Sequence, residues 1–131
     1  MARQFARSPL LRTMLLGFAL VLAVTTPVVA QDRAFADAVR YVHDKVTACW
    51  NVPPAAAPTG TIVRIRFELD RDGGLIGAPV VLDQPLKAGV ALLAESARRA
   101  VIRCAPYDGL KRHGALYPRW REIVLNFRQP D

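Results

Sequence analysis

Few residues in this sequence are of types that do chemistry, and their spacing narrows the choice further. Cys49 and Cys104 are the only cysteines, and His43 and His113 the only histidines. A structural zinc site usually takes four Cys or His ligands at characteristic intervals, and this spacing matches none of them. A cysteine nucleophile needs a partner base and a reducing environment. His43 stands one position from an apolar stripe and His113 in a glycine-flanked run. Neither has a third partner, so both read as surface residues rather than as a base or ligand pair. Asp70-Arg71-Asp72-Gly73 opens like a calcium loop but lacks the further ligands and the closing glutamate; a hairpin turn accounts for it. The sequence holds no Gly-rich phosphate loop, GxSxG or HExxH. It is read as a non-enzyme, without catalytic residue, metal or cofactor.

What the cysteines do depends on their compartment. Arg3, Arg7 and Arg12, with no acidic residue among them, precede an uncharged run over residues 13–31. Residues 14–24 are almost wholly apolar, Pro27 breaks the run, and Val28 and Ala30 put small residues at the −3 and −1 positions of a cleavage site. A basic start, a short apolar core and a small-residue exit predict a secretory signal peptide over residues 1–30. The alternative is an uncleaved segment anchored in the inner membrane, although the apolar core is shorter than the roughly 20 residues a spanning helix needs. In an oxidising compartment the even pair, Cys49 and Cys104, is expected to form a disulfide. Without residues 1–30 the net charge falls by three, from +7 to +4, with the signs interspersed. That is an ordinary soluble surface, and a nucleic-acid partner is not expected.

The elements that would hold these residues follow from periodicity. Over residues 31–49, Phe35, Val39, Val42, Val46 and Cys49 recur at helical spacing, with Asp32 as a candidate N-cap. Pro53-Pro54 ends that helix. Residues 61–70 alternate strictly, Val63, Ile65, Phe67 and Leu69 against Arg64, Arg66 and Glu68, which predicts a half-buried strand. Residues 71–74 turn the chain, and residues 75–82 return it with Pro79 inside, a residue suited to an edge. Residues 89–104 form a second helix with Val90, Leu93, Ala97, Val101 and Cys104 inward and Arg98, Arg99 and Arg103 outward. A loop over residues 107–119 leads to a third strand at residues 120–127.

Chain direction then constrains the topology. The order α-β-β-α-β closes as a three-stranded antiparallel sheet only with strand three beside strand one, in the order 2-1-3. Each strand shows one apolar face, so both helices pack on the same face of this α+β fold. The cysteines end those helices, and one bridge would fasten the helix ends together.

Several ordered segments carry a family resemblance. Cys49-Trp50-Asn51-Val52-Pro53-Pro54, then Val63-Arg64-Ile65-Arg66-Phe67-Glu68-Leu69-Asp70 with Asp72-Gly73, resembles the opening of the TolA C-terminal domain. Ala94-Glu95-Ser96-Ala97-Arg98-Arg99-Ala100-Val101 with Cys104-Ala105-Pro106-Tyr107, then Trp120-Arg121-Glu122-Ile123-Val124-Leu125-Asn126-Phe127, resembles its second half. The match runs over residues 35–127. It implies a member of the TolA/TonB C-terminal-domain superfamily over residues 31–131. Such domains are non-enzymatic, lie in the periplasm and bind envelope proteins of the outer-membrane side, in TolA those of the Tol–Pal system for envelope integrity. Related domains accept an extended partner segment along an open sheet edge, and paired helix-end cysteines recur in TolA-like members. The anchored members also carry a long spacer. A domain released after residue 30 would have no mechanical link to an inner-membrane motor.

In the 2-1-3 order the third strand is an edge, and its outward positions would be Trp120, Glu122, Val124 and Asn126. With no proline and no lysine it is poorly protected against strand addition. Three other readings stay open. The loop over residues 107–119 folds over that edge. Alternatively Lys111, Arg112 and His113 at its centre plug an enzyme, making this a small secreted inhibitor or chaperone-like factor. Or two copies exchange strands into a homodimer.

Overall fold

The computed structural model describes residues 27–83 and 87–131. The expected signal peptide falls mostly on residues 1–26, which lie outside the described residues. Helix α1 spans Pro27–Cys49. It starts upstream of the expected residue 31, because nothing after Pro27 interrupts helical geometry and a proline at the first position forfeits only an N–H that has no helical partner. Asp32 is therefore inside the helix and not its N-cap; its carboxylate pairs with Arg119 at 3.0 Å. Ala38, Val42 and Val46 are the fully buried positions of α1, flanked by half-buried Phe35 and Cys49.

Strand β1 (Ile62–Leu69) alternates as its sequence requires, with Val63, Ile65, Phe67 and Leu69 buried. In the following turn Asp70 Oδ1 accepts hydrogen bonds from the backbone of Asp72 and Gly74, the Asx geometry that makes Asp a turn residue. Gly73 sits at φ +82, and a Cβ there would fall 2.1 Å from the carbonyl oxygen of Tyr107. Only glycine fits. Strand β2 (Leu75–Val81) pairs antiparallel with β1. The register shifts opposite Phe67, between the pairs Arg66↔Val80 and Glu68↔Ile76, where Gly77 at φ +70 and Pro79 form a bulge.

Helix α2 (Ala88–Cys104) buries Leu93, Ala94, Ala97, Ala100, Val101 and Cys104. Its small residues bring it close to β1 and β2. Beyond it, Asp108–Leu116 is 3-10 helical and Tyr117–Trp120 forms a single α turn, α3. A loop was expected here. Strand β3 (Glu122–Arg128) pairs antiparallel with β1 from Ile62↔Arg128 to Glu68↔Glu122. The sheet order is β2-β1-β3, as the chain-direction argument requires, and the Pro79 strand is at an edge. Both long helices cover the same face, and one core fills the space between the layers. Among the described residues no helix is long and apolar enough to cross a membrane.

Candidate functional site

The third strand has one partner. Leu69 N–H donates to the Arg121 carbonyl and Gln129 N–H to the Thr61 carbonyl. In an antiparallel ladder alternate residues aim both backbone groups the same way, so Ile123, Leu125 and Phe127 bond to β1. The N–H and C=O groups of Glu122, Val124, Asn126 and Arg128 face the other way, toward an edge with no paired strand among the described residues. Charges stand only at the two ends of this row, and Val124 at its middle is 46% exposed.

Beside that edge lies a groove. Leu125 and Phe127 form one wall; His43, Val46 and Thr47 from the end of α1, with Trp50 just beyond it, form the other, around a volume of about 210 Å³. Trp50 is held rigidly. Its ring meets Phe127 edge-on at 5.1 Å, and its indole N–H donates to Ser96 Oγ at 3.0 Å, which in turn donates to the Leu93 carbonyl. The neighbouring residue, Cys49, is bonded to Cys104, with 5.9 Å between the Cα atoms. Arg103 further donates to the Cys49 carbonyl. The expected disulfide is thus present, and it pins the groove wall to α2.

Of the edge positions read from the sequence, Glu122, Val124 and Asn126 point outward on β3. Trp120 does not. It lies in α3, fully buried, with its indole N–H donating to the His113 carbonyl at 2.8 Å. A large aromatic two positions before a strand gains more from the core than from solvent, and the alternating pattern starts two residues later than expected. Sequence reasoning missed the other groove wall. Val46 and Trp50, four apart where the helical stripe runs out, were the available signal.

The segment after α2 is strapped to α1 rather than laid along β3. The Tyr41 hydroxyl donates to Asp108 and accepts from Gly109 N–H. Asp108 is held below the usual carboxylate range by that hydroxyl and by nearby Lys45. Arg112 lies over the Tyr41 ring and Arg119 over Phe35. Of the alternative insertion residues, Lys111 is exposed, Arg112 is engaged with Tyr41 and with the Gly109 carbonyl, and His113 is half-buried. His43 and His113 line different clefts, and among the described residues no His, Cys, Asp and Glu cluster is placed to hold a metal.

No curated protein matches the chain significantly. Among solved structures, the solution structure of TolAIII bound to a peptide derived from the N-terminus of TolB matches with a TM-score of 0.56 and 23% identity, over 71% of this chain and 73% of that one. The likeness places the fold with the TolA C-terminal domain. Residues 32–115, well over half of the chain, match the model of a family described as "Uncharacterised conserved protein UCP034077", and the chain belongs to that family.

Proposed function

We propose that this protein is a non-enzymatic interaction domain that binds an extended segment of a partner protein by strand addition along β3. The observation that carries the reading is the outward row of backbone groups at Glu122, Val124, Asn126 and Arg128, running beside an apolar groove. An added strand would bond to those groups. Its alternate side chains would enter between Val46 and Trp50 on one side and Leu125 and Phe127 on the other. Backbone pairing would supply affinity and the groove would supply selectivity. The fold shared with TolAIII, which is bound to a peptide in its own structure, supports the same reading. The partners would be periplasmic or outer-membrane-associated envelope proteins of the Tol–Pal kind. Residues 1–30 would act as the export signal that brings the domain of residues 31–131 to them.

The test is capture of partners from periplasmic extract with the wild type and with Val124→Pro. The Val124 N–H faces the open edge, so proline deletes an outward donor and leaves the bonds to β1 in place. An envelope protein retained by the wild type and lost on the variant, with circular dichroism unchanged, is the expected result. Capture that survives the proline but disappears with Lys111→Ala plus Arg112→Ala would replace the edge with the insertion segment as the binding element.

A further inference from the structure

The edge that would receive a partner strand is also complementary to itself. Along its open row β3 runs from Glu122 through Val124 and Asn126 to Arg128, acidic at its first residue and basic at its last. All four side chains are exposed, on the face away from the helices. A two-fold axis normal to the sheet would lay this strand antiparallel against its copy. Only residues with outward backbone groups bond across such a junction, which confines the register to pairs within this row. One register sets Glu122 against the copy's Arg128 and Val124 against the copy's Asn126, and the symmetry repeats both pairs beyond the axis. Leu125 falls on the axis. The adjacent registers, centred on Val124 or on Asn126, leave all four charges without an opposite number.

Within one chain neither end of the row is compensated. Glu122 stands directly opposite Glu68. Arg121 bonds to Leu69 on one side of that rung and Ile123 faces β1 on the other. The rung is therefore of the non-hydrogen-bonded kind, with Cα atoms about 4.5 Å apart. Like charges so placed are unfavourable. Among the described residues neither carboxylate has an ion pair, although Arg121 precedes Glu122 and Arg66 lies two residues along from Glu68. Arg128 meets no carboxylate either; its guanidinium lies beside Gly60.

We propose that β3 pairs with β3 of a second copy in the Glu122–Arg128 register, joining two three-stranded sheets into one of six and masking the edge. No segment is exchanged between the copies. Each copy's Arg128 brings the cation that the other's Glu68–Glu122 rung lacks, so each charge pair counts twice. The inference deepens the strand-addition reading and rests on the same open edge. One strand pair is a small interface, so the dimer is weak and gathers at high local concentration.

The test is sedimentation equilibrium of the purified protein from micromolar to millimolar concentration, with circular dichroism to show that each variant is folded. Wild type should show monomer and dimer and nothing larger. Glu122→Arg sets arginine against arginine at both ends, and Arg128→Glu sets glutamate against glutamate. Each should weaken the dimer at least several-fold. Mixed together, the two variants are complementary at both ends and should recover a heterodimer. Val124→Pro should be monomeric. A wild type that is monomeric throughout, a dimer indifferent to either single reversal or to the proline, or a mixture that stays monomeric would each overturn the proposal. The two readings fail separately. Partner capture lost on Val124→Pro while the wild type is monomeric removes self-pairing and leaves strand addition standing. A charge-dependent dimer whose partner capture survives the proline does the reverse.

Discussion

Glu95 shows how one carboxylate on α2 serves two arginines. Arg98 donates to it at 2.7 Å and Arg99 at 3.1 Å. These charge-assisted hydrogen bonds, that of Arg98 foremost, hold its pKa at about 2, against an ordinary value of 4.5. The pKa is depressed in the folded state, so the stabilisation is complete above about pH 4.5 and is lost as pH falls toward 2. The side chain is 37% exposed, and solvent screening keeps such a pair at about 0.2–1 kcal/mol. Glu95→Gln should therefore unfold more easily than the wild type at pH 7, and the gap should close between pH 4.5 and pH 2. Denaturation curves across that range would check it, and a gap that does not change with pH would refute it.

At the scale of elements, the segment from Asp108 to Trp120 separates what the sequence states locally from what it states only through contacts. The strict alternation in β1 and the stripes of α1 and α2 were legible because burial of one face imposes a period. The path from α2 to β3 has no period to read. Gly109 and Gly114 argue against a helix, and its conformation comes from Tyr41, Phe35 and Asp32, residues distant in sequence. The edge strand was legible from topology, whereas the groove beside it was not, since it depends on how far the end of α1 stands from β3. Trp120 anchors the segment: Trp120→Ala should destabilise the domain by about 3–5 kcal/mol, measured by chemical denaturation. Trp120→Phe, which keeps an aromatic ring in the core but loses the pyrrole half of the indole and the bond to the His113 carbonyl, should cost distinctly less. Near-neutral behaviour of the alanine variant would mean that the segment is not anchored in this way.

The whole molecule depends on its one covalent cross-link. Cys49 and Cys104 are 55 positions apart, and closing a loop of that length stabilises a fold by about 4 kcal/mol on the chain-entropy model. Small domains have about 5–15 kcal/mol in all. Reduction should lower the denaturation midpoint sharply, and partner capture should weaken with it, because Trp50 adjoins the bridge. Unfolding that is indifferent to reductant would show that the core suffices alone.

The two edges of the sheet are unequal: β3 pairs in unbroken register and is open, while β2 is broken by the bulge at Gly77 and by Pro79. Such a sheet is monofunctional in the polymer chemist's sense. A strand that joins it finds one reactive side, and two copies joined through β3 consume each other's only good edge. Self-association by this route ends at the pair, so the domain terminates growth where a sheet with two good edges would propagate it into a fibre.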